Sequence, residues 1–489
     1  MTLGAYLGVV ALARDRPAPV RAASRKVAAA FGLAPCSETR TRALFAAGPT
    51  QTIGDIPAAI HIVGPAFARA PEGSPFVGTV DRHAAPARFL EAVEALWGAF
   101  MAWTSNEETD ELFVYRDPSA RCPCYYRCWG EELVIASHLP LIEAVTDRAS
   151  AINWGVVADE LLYPDLVARA SALVGVEEAL PGEIVRIGRG GIYHHALWSP
   201  AKFIDKRPLS SFEQAQDNIM RAVTQSCRAW SGHIGPLALT LSGGLDSSVL
   251  AATLPGLRHA ITLVSGTGSG DERAFARALC RHLGLQPHER ILSPGDVDLS
   301  LSHAAQRPRP STRAFTQSLI QHATAVAIGA GAKAIVYGSG GDNVFCFLRS
   351  ATPASDRLAA EGPGATYWRS VMEVASVTEC SPFLIARRSL RKHLRRKRAW
   401  TWPRDERLLA PALLEARTSH VAHPWIDEFA DLLVRPADQI LIADVIDPAR
   451  QKGVPVFHEL GKSEDITADV LQIKGPGHRV GKVLKITGE

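Results

Sequence analysis

The chain has 489 residues, with 53 Lys or Arg against 50 Asp or Glu, for a formal net charge of +3. That length accommodates about two or three domains, each with room for its own core. Hydrophobic residues make up 47% and charged residues 21%, as in ordinary globular proteins, and the near balance of charge argues against a nucleic-acid partner.

The first thirty residues are apolar in patches, but Arg14, Arg16, Arg21 and Arg25 interrupt them. They fit neither a secretory signal nor a membrane span, so the expectation is a cytoplasmic protein without membrane association. PARFLEAVEALWGAF (86–100) carries apolar residues at helical spacing. DELFVYRDPSARCPCYYRCWGEELVIAS (110–137) alternates apolar runs with turn residues and predicts a meander of strands. The eight cysteines, Cys36, Cys122, Cys124, Cys128, Cys227, Cys280, Cys346 and Cys380, read as reduced thiols. RCPCYYRC (121–128) lacks paired CxxC spacing and has no nearby His, so it reads as small apolar side chains along a strand, with zinc as the alternative. INWGVVADELL (152–162) predicts a helix capped by Asn153, and ALPGEIVRIGRGGIYHHALW (179–198) two strands around a glycine turn.

Beyond about residue 212 the pattern changes. SFEQAQDNIMRAVTQSCRAW (211–230), DERAFARALCRHLGL (271–285) and SLIQHATAVAIGAGA (318–332) predict helices. PLALTL (236–241), HAITLVS (259–265) and KAIVYG (333–338) predict strands, and SSVLAATL (247–254) starts a further helix. Strands alternating with helices of this length predict a parallel, doubly wound sheet, whose ligands lie beyond the carboxyl ends of the strands. SGGLDSS (242–248), SGTGSGDE (265–272) and GSGGDN (338–343) all fall at strand ends, so three glycine-rich loops should converge on one site. Glycines followed by a helix N-terminus make an anion site from backbone N–H groups. Ser242, Ser247 and Ser248 add hydroxyls there, and Asp246 suggests an anion that carries a metal. QRPRPS (306–311) predicts a loop with two Arg at the site mouth. Residues 387–398 hold eight Lys or Arg and read as a solvated helix face or a groove for an acidic peptide or phosphate. The His residues in GLRH, PHER and HPW read as structural. Residues after about 442 predict loops with short elements.

SGGLDSS resembles the pyrophosphate-binding loop of the ATP pyrophosphatases, the family of asparagine synthetases and related amide-forming ligases. The resemblance implies that Leu241, Ser242, Gly243, Gly244, Asp246, Ser247 and Ser248 bind ATP. It sets TLVS (262–265), with Val264 and Ser265, along the adenine. YGSGGDNVF (337–345) is similar to the third loop, adding Gly338, Ser339 and Gly340 to the nucleotide site and pairing Asp342 with Asp246 on Mg²⁺. WGAFMAW, VYRDPSARCPCYY and VIASHLPLI resemble the glutaminase domain of asparagine synthetase. There the nucleophile is a Cys after the initiator Met; here Thr2 stands in that position. The implied fold class is α/β plus α+β. Residues 1–205 would be a glutaminase-like sandwich of the N-terminal-nucleophile type without its nucleophile. Residues 206–489 would be an asparagine synthetase-like ATP-binding synthetase domain.

GGDNVFCFLRSATPASDRL (340–358), RDPSAR (116–121), YPDL (163–166) and VGVEEALPGE (174–183) resemble lasso peptide cyclases. This implies a ligase that forms C–N bonds and converts ATP to AMP and pyrophosphate, closing a macrolactam in a precursor peptide. A leader-cleaving protease and a leader-binding protein are the further partners implied. VTECSPF (377–383) resembles the segment that carries the base of β-lactam synthetases, which makes Glu379 the candidate. Where those enzymes place a Tyr in the third loop, Ser339 stands. DPARQKGVPVF (447–457) offers Lys452 as the cation for the adenylation transition state, with Lys462 and Lys474 as substitutes. The alternatives are an asparagine synthetase using free ammonia, a β-lactam-type cyclase, and an inactive homologue.

Overall fold

The structure, a computed structural model, describes residues 5–415 except 13–19, 40, 48–49, 54–58, 69–85, 107, 120, 164–165, 189, 200–210, 266–270, 298–307, 310–316, 339–349, 396–401 and 403, and beyond these only His423 and His458–Glu459. Two six-stranded antiparallel sheets come first. One has the order β12-β10-β11-β1-β3-β2, formed by β1 (Tyr6–Ala11), β2 (Ala34–Glu38), β3 (Arg42–Ala46), β10 (Tyr125–Trp129), β11 (Glu132–Ala136) and β12 (Glu177–Glu178). The other has the order β14-β13-β9-β8-β5-β4, formed by β4 (Gln51–Ile53), β5 (Ile60–Val63), β8 (Met101–Asn106), β9 (Glu111–Arg116), β13 (Glu183–Gly188) and β14 (Gly191–Ala196). A small ladder pairs β6 (Ala66–Ala68) with β7 (Leu96–Gly98).

Side chains alternate across a strand, so each central strand feeds two cores. Tyr6, Val10, Leu44 and Ala46 meet Met101, Trp103, Leu112 and Val114 between the sheets. Leu7, Val9, Ala43 and Phe45 pack outward with Ala28 of helix α1 (Val20–Ala30) and Leu139, Ile142 and Val145 of α3 (Leu139–Thr146). On the far side Ile60, Ile62 and Phe113 pack with Phe89, Leu90 and Val93 of α2 (Ala87–Glu94). The layering is therefore helix–sheet–sheet–helix. Burial on both faces explains why YLGVVA lacks polar alternation. Gly8 permits the close sheet approach: a Cβ there would lie 2.4 Å from Trp103 Cζ3.

The third sheet has the order β17-β16-β15-β18-β19. Strands β15 (Leu237–Thr240), β16 (His259–Ser265), β17 (Gln286–Leu292) and β18 (Ala334–Tyr337) run parallel, and β19 (His458–Glu459) pairs antiparallel with β18. Helices α5 (Phe212–Ile234), α6 (Leu245–Thr253) and α7 (Arg273–Leu283) cover one face through Cys227, Trp230, Ala251, Ala276 and Cys280. Helix α8 (Gln317–Gly329) covers the other through Ala323 and Ala327. Chain order steps outward from β15 to β17 and then returns to β18 on the opposite side of β15. Right-handed crossovers then require helices on both faces, and the reversal falls between β15 and β18. Helices α9 (Thr352–Glu361), α10 (Ala365–Thr378) and α11 (Pro382–Arg395) pack through Ala354, Tyr367, Val371, Ala375 and Ile385, and the short α12 (Pro411–Glu415) follows.

Caps stand where local chemistry predicts them. The Asn153 side chain accepts from Val156 N at 3.3 Å to start α4 (Trp154–Leu162), and Ser211 Oγ accepts from Gln214 N at 3.2 Å to start α5. Three expectations are corrected, and one strand goes unread in the sequence. The 86–100 helix ends at Glu94, because Leu96–Gly98 pairs with Ala66–Ala68 instead. The 110–137 stretch is not one meander: β9 belongs to the second sheet and β10–β11 to the first, with the chain crossing between them. Strand β17 escapes the pattern reading because QPHERIL is mostly exposed at a sheet edge. Cys122 and Cys124 precede β10 and are buried between the sheets, whereas Cys128 on β10 is exposed.

Candidate functional site

The loop after β15 is anchored from beneath. Leu241 is buried; its N–H donates to Ile261 O at 2.8 Å, and its carbonyl accepts from Thr262 Oγ1 at 2.9 Å. The chain then turns at Gly243, whose φ of +92° lies in the region that favours glycine. A Cβ at Gly243 would also fall 2.9 Å from Phe275 Cβ and 3.0 Å from Glu272 O, so the turn is pressed against the start of α7. Gly244 caps α6, and its N–H donates to Ser242 Oγ at 3.1 Å. Ser247 Oγ accepts from Ser242 N at 3.3 Å and bonds Gly244 O at 3.1 Å, while Ser248 Oγ donates to Gly244 O at 2.8 Å. These two hydroxyls brace the loop; Ser242 is the exposed serine of the three. Helix α6 thus begins at the carboxyl edge with Asp246 in its first turn, where an α-helix leaves N–H donors without intrahelical partners.

The end of β18 closes on the same turn. A Cβ at Gly338 would lie 2.7 Å from Ser247 N and 2.8 Å from both Ser247 Cα and Cβ. Gly338 and the 242–248 loop therefore meet where the strand order reverses, the place at which doubly wound sheets bind ligands. Val264, near the end of β16, is buried beside them in the sheet, and Ser265 is the last residue of that strand. The start of α7 is fixed by ion pairs. Arg273 donates to Asp271 at 2.6 Å, holding that carboxyl down at about 2. Arg277 grips Glu289 of β17 through two 2.6 Å bonds.

Other candidates fall elsewhere. Ser339, Gly340, Asp342, Lys452, Lys462, Lys474, Cys346 and Thr2 lie outside the described residues. Glu379 is exposed at the C-terminal end of α10, in a left-handed conformation with φ of 53°. The His residues of GLRH and PHER, His259 and His288, face each other across β16 and β17 with Nδ1···Nε2 at 3.2 Å. His423 is buried.

Arg309 is largely covered by the N-terminal half, where it meets Glu160 of α4, the backbone of Ala168 and Ala170, and Glu178 of β12. Its guanidinium pairs with Glu160 and Glu178. Glu178 also accepts from Arg116 Nη1 at 2.7 Å. Burial opposes ionisation of Glu178, yet Arg116 and Arg309 hold its carboxyl below the ordinary range. Burial likewise opposes the charge on Arg309, which Glu178 and Glu160 nonetheless hold protonated. Nearby, Glu183 is held low against burial by His194 and Arg169. This network escapes pattern reading; its trace in the sequence is the set of carboxylates Glu177, Glu178 and Glu183 within apolar VGVEEALPGE.

No curated protein matches the chain at a significant level. Among the solved structures that match, three are named here, at low TM-scores that carry no argument about function. A glutamine phosphoribosylpyrophosphate amidotransferase from B. subtilis, complexed with ADP and GMP, is 12% identical with a TM-score of 0.26, over 68% of this chain and 90% of that one. An allosteric regulatory enzyme of purine biosynthesis is 12% identical with a TM-score of 0.22, over 60% and 76%. A glutamine-dependent NAD+ synthetase from Acinetobacter baumannii, complexed with ADP, is 14% identical with a TM-score of 0.21, over 61% and 60%. Residues 219–450 match the family model described as asparagine synthase. That span contains the parallel strands β15–β18 and the loops at their carboxyl edge, and it supports membership of this part of the chain in the asparagine synthetase-like ATP pyrophosphatase family.

Proposed function

We propose that this protein is an ATP-dependent ligase that closes an amide-linked ring in a peptide, a macrolactam synthetase of the lasso cyclase type. The observation that carries the ATP site is the contact of Gly338 with the first turn of α6, at the point where the strand order reverses. The asparagine synthase match supports the broader class, an ATP-dependent enzyme that forms amide bonds. The step to a peptide substrate rests on the lasso-like motifs 340–358, 163–166 and 174–183.

In this reading the peptide's Asp or Glu carboxylate attacks the α-phosphorus of ATP, giving acyl-AMP and pyrophosphate. The peptide's N-terminal amine then attacks the acyl carbon and expels AMP. The α6 N-terminus and the Ser242–Gly244 backbone hold the leaving pyrophosphate, and Val264 and Ser265 line the adenine. Asp246 offers a carboxylate oxygen in that turn, the donor that a hard divalent cation takes, with Asp342 as its partner. Magnesium bound there would neutralise charge on the phosphate oxygens. Lys452 is the proposed cation for the α-phosphate and Glu379 the base for the amine. Residues 1–205 serve as a scaffold of glutaminase-like ancestry, with the helix–sheet–sheet–helix layering as support, and 206–489 as the synthetase. We take the setting to be cytoplasmic, with a leader-cleaving protease and a leader-binding protein as partners. No helix among the described residues is long and apolar enough to cross a membrane.

The test incubates the protein with ATP, Mg²⁺ and a panel of carboxylates: precursor peptides, aspartate with ammonia, and small β-amino acids. Pyrophosphate release with a peptide that loses one water, read by mass spectrometry, is expected. Turnover with aspartate and ammonia instead would identify an asparagine synthetase, the second reading, which the family match itself favours. Turnover of a β-amino acid would identify a β-lactam-type cyclase. ATP binding without pyrophosphate from any carboxylate would identify an inactive homologue.

A further inference from the structure

Strands β16 and β17 bring two metal-ligating side chains together away from the 242–248 loop. Their parallel ladder runs from His259 opposite Gln286 to Ser265 opposite Leu292. Ala260 packs in the core under α5, α6 and α7, and Ile261 packs in the core under α8. Side chains alternate along a strand, so His259 shares the α8 face with Ile261. Ile261 stands opposite His288, which puts the second ring on that face as well. The next residue, Glu289, points the other way, to Arg277 of α7. The two rings lie with centroids 5.4 Å apart and planes at 42°, and His259 Nδ1 and His288 Nε2 converge to 3.2 Å. Both residues are half-buried, and β17 ends the sheet order, so the pair stands at an edge.

Joining β16 to β17 does not require the pair, since the backbone ladder already registers seven residues of each strand. Two neutral imidazoles could share one proton here, in a hydrogen bond at the long end of the normal range. The same spacing also fits a cation. Metal–nitrogen bonds of about 2.0–2.1 Å at a tetrahedral angle hold two ligating nitrogens about 3.3 Å apart. Imidazole suits Zn²⁺, Ni²⁺ or Cu²⁺, whereas Mg²⁺ takes oxygen ligands. We propose that His259 and His288 form a binding site for a divalent transition-metal ion of this class, which clips β16 to the edge strand β17. Among the described residues no group of three or more His, Cys, Asp or Glu could complete the shell, so water takes the remaining positions. The site is therefore an exchangeable one and not a closed structural zinc. It is separate from the magnesium position proposed at Asp246. His259 opens β16 at the amino edge, and Ser265 closes it at the carboxyl edge, about 20 Å along the strand. The site does not depend on the ligase reading.

The experiment uses the full chain, stripped with a chelator and held in excess Mg²⁺, with Zn²⁺, Ni²⁺ and Cu²⁺ as probes. Calorimetric titration of wild type should show an equivalent of Zn²⁺ or Ni²⁺ that weakens roughly tenfold or more in both His259→Asn and His288→Gln. Cu²⁺ in that position should show two nitrogen donors by electron paramagnetic resonance. In wild type, Zn²⁺ should also protect both rings from diethyl pyrocarbonate, read at each histidine by mass spectrometry, while Mg²⁺ should not. That readout decides the matter even where a variant fails to fold. Equal modification of both rings with and without Zn²⁺ overturns the proposal and leaves the pair as a hydrogen bond between imidazoles. So does a metal equivalent that both variants retain, which would put the ion on other side chains of the protein. Loss in one variant alone overturns it too, since the two rings would then not share the ion.

Discussion

Gly338→Ala tests the convergence of the loops most directly. The added methyl would sit 2.7 Å from Ser247 N and 2.8 Å from Ser247 Cα and Cβ, against an ordinary contact distance of 3.4 Å or more. The shortfall is about 0.7 Å against backbone, which has no rotamer to yield. Either α6 retreats from β18 or the strain stays in the fold. Overpacking of this kind costs roughly 1–3 kcal/mol. If the strain stays, the free energy of unfolding falls by that amount. If α6 retreats, its first-turn amides leave the phosphate position and the Ser242 N to Ser247 Oγ bond of 3.3 Å is pulled apart. About 2 kcal/mol lost there is roughly thirtyfold in ATP affinity. Calorimetric titration with ATP–Mg²⁺ and urea unfolding together separate the two routes. Gly329→Ala is the control: it ends α8 with nothing within 4 Å, so it should be neutral or stabilise by about 0.5–1 kcal/mol. A Gly338→Ala protein with unchanged affinity and unchanged stability would refute the close approach of β18 to α6 and, with it, the site.

Three further outcomes are expected. Asp246→Asn should retain its circular dichroism spectrum but lose ATP-dependent pyrophosphate release, since the loop geometry depends on glycines and hydroxyls while the cation needs the charge; full release by the variant would remove Asp246 from the metal site. Asn153→Ala should destabilise the sandwich by about 1 kcal/mol in urea unfolding through loss of the α4 cap, with ATP affinity unchanged. Glu178 and Glu183 are held below their ordinary 4.5 in the folded protein, so their contribution is present above that pH and is lost as pH falls below it. The urea midpoint should accordingly drop below pH 4.5 in wild type and drop less steeply in Glu178→Gln; equal slopes would show that the buried carboxylates do not govern acid stability.

Local chemistry made part of this protein legible without coordinates. The strand–glycine–helix turn at 237–254, the cap at Asn153, and the alternation of strands and helices after residue 212 depend on neighbours within a few residues, and the structure has each of them. So does the expectation that 242–248 and 338 share one edge, because crossover handedness leaves a parallel sheet few arrangements. Tertiary structure decided the rest. Leu96–Gly98 leaves the helix because its partner strand lies some thirty residues upstream. Strand β17 is polar because it is an edge strand, and edge strands carry charge and proline that blunt further pairing. Cys122 and Cys124 are buried because Arg116–Pro123 carries the chain from one sheet to the other, a step that no periodicity records. Arg309 reads in sequence as a loop residue at the site mouth. Only the fold brings Glu160 and Glu178, more than 130 positions away, to meet its guanidinium, and only paired carboxylates make its burial affordable.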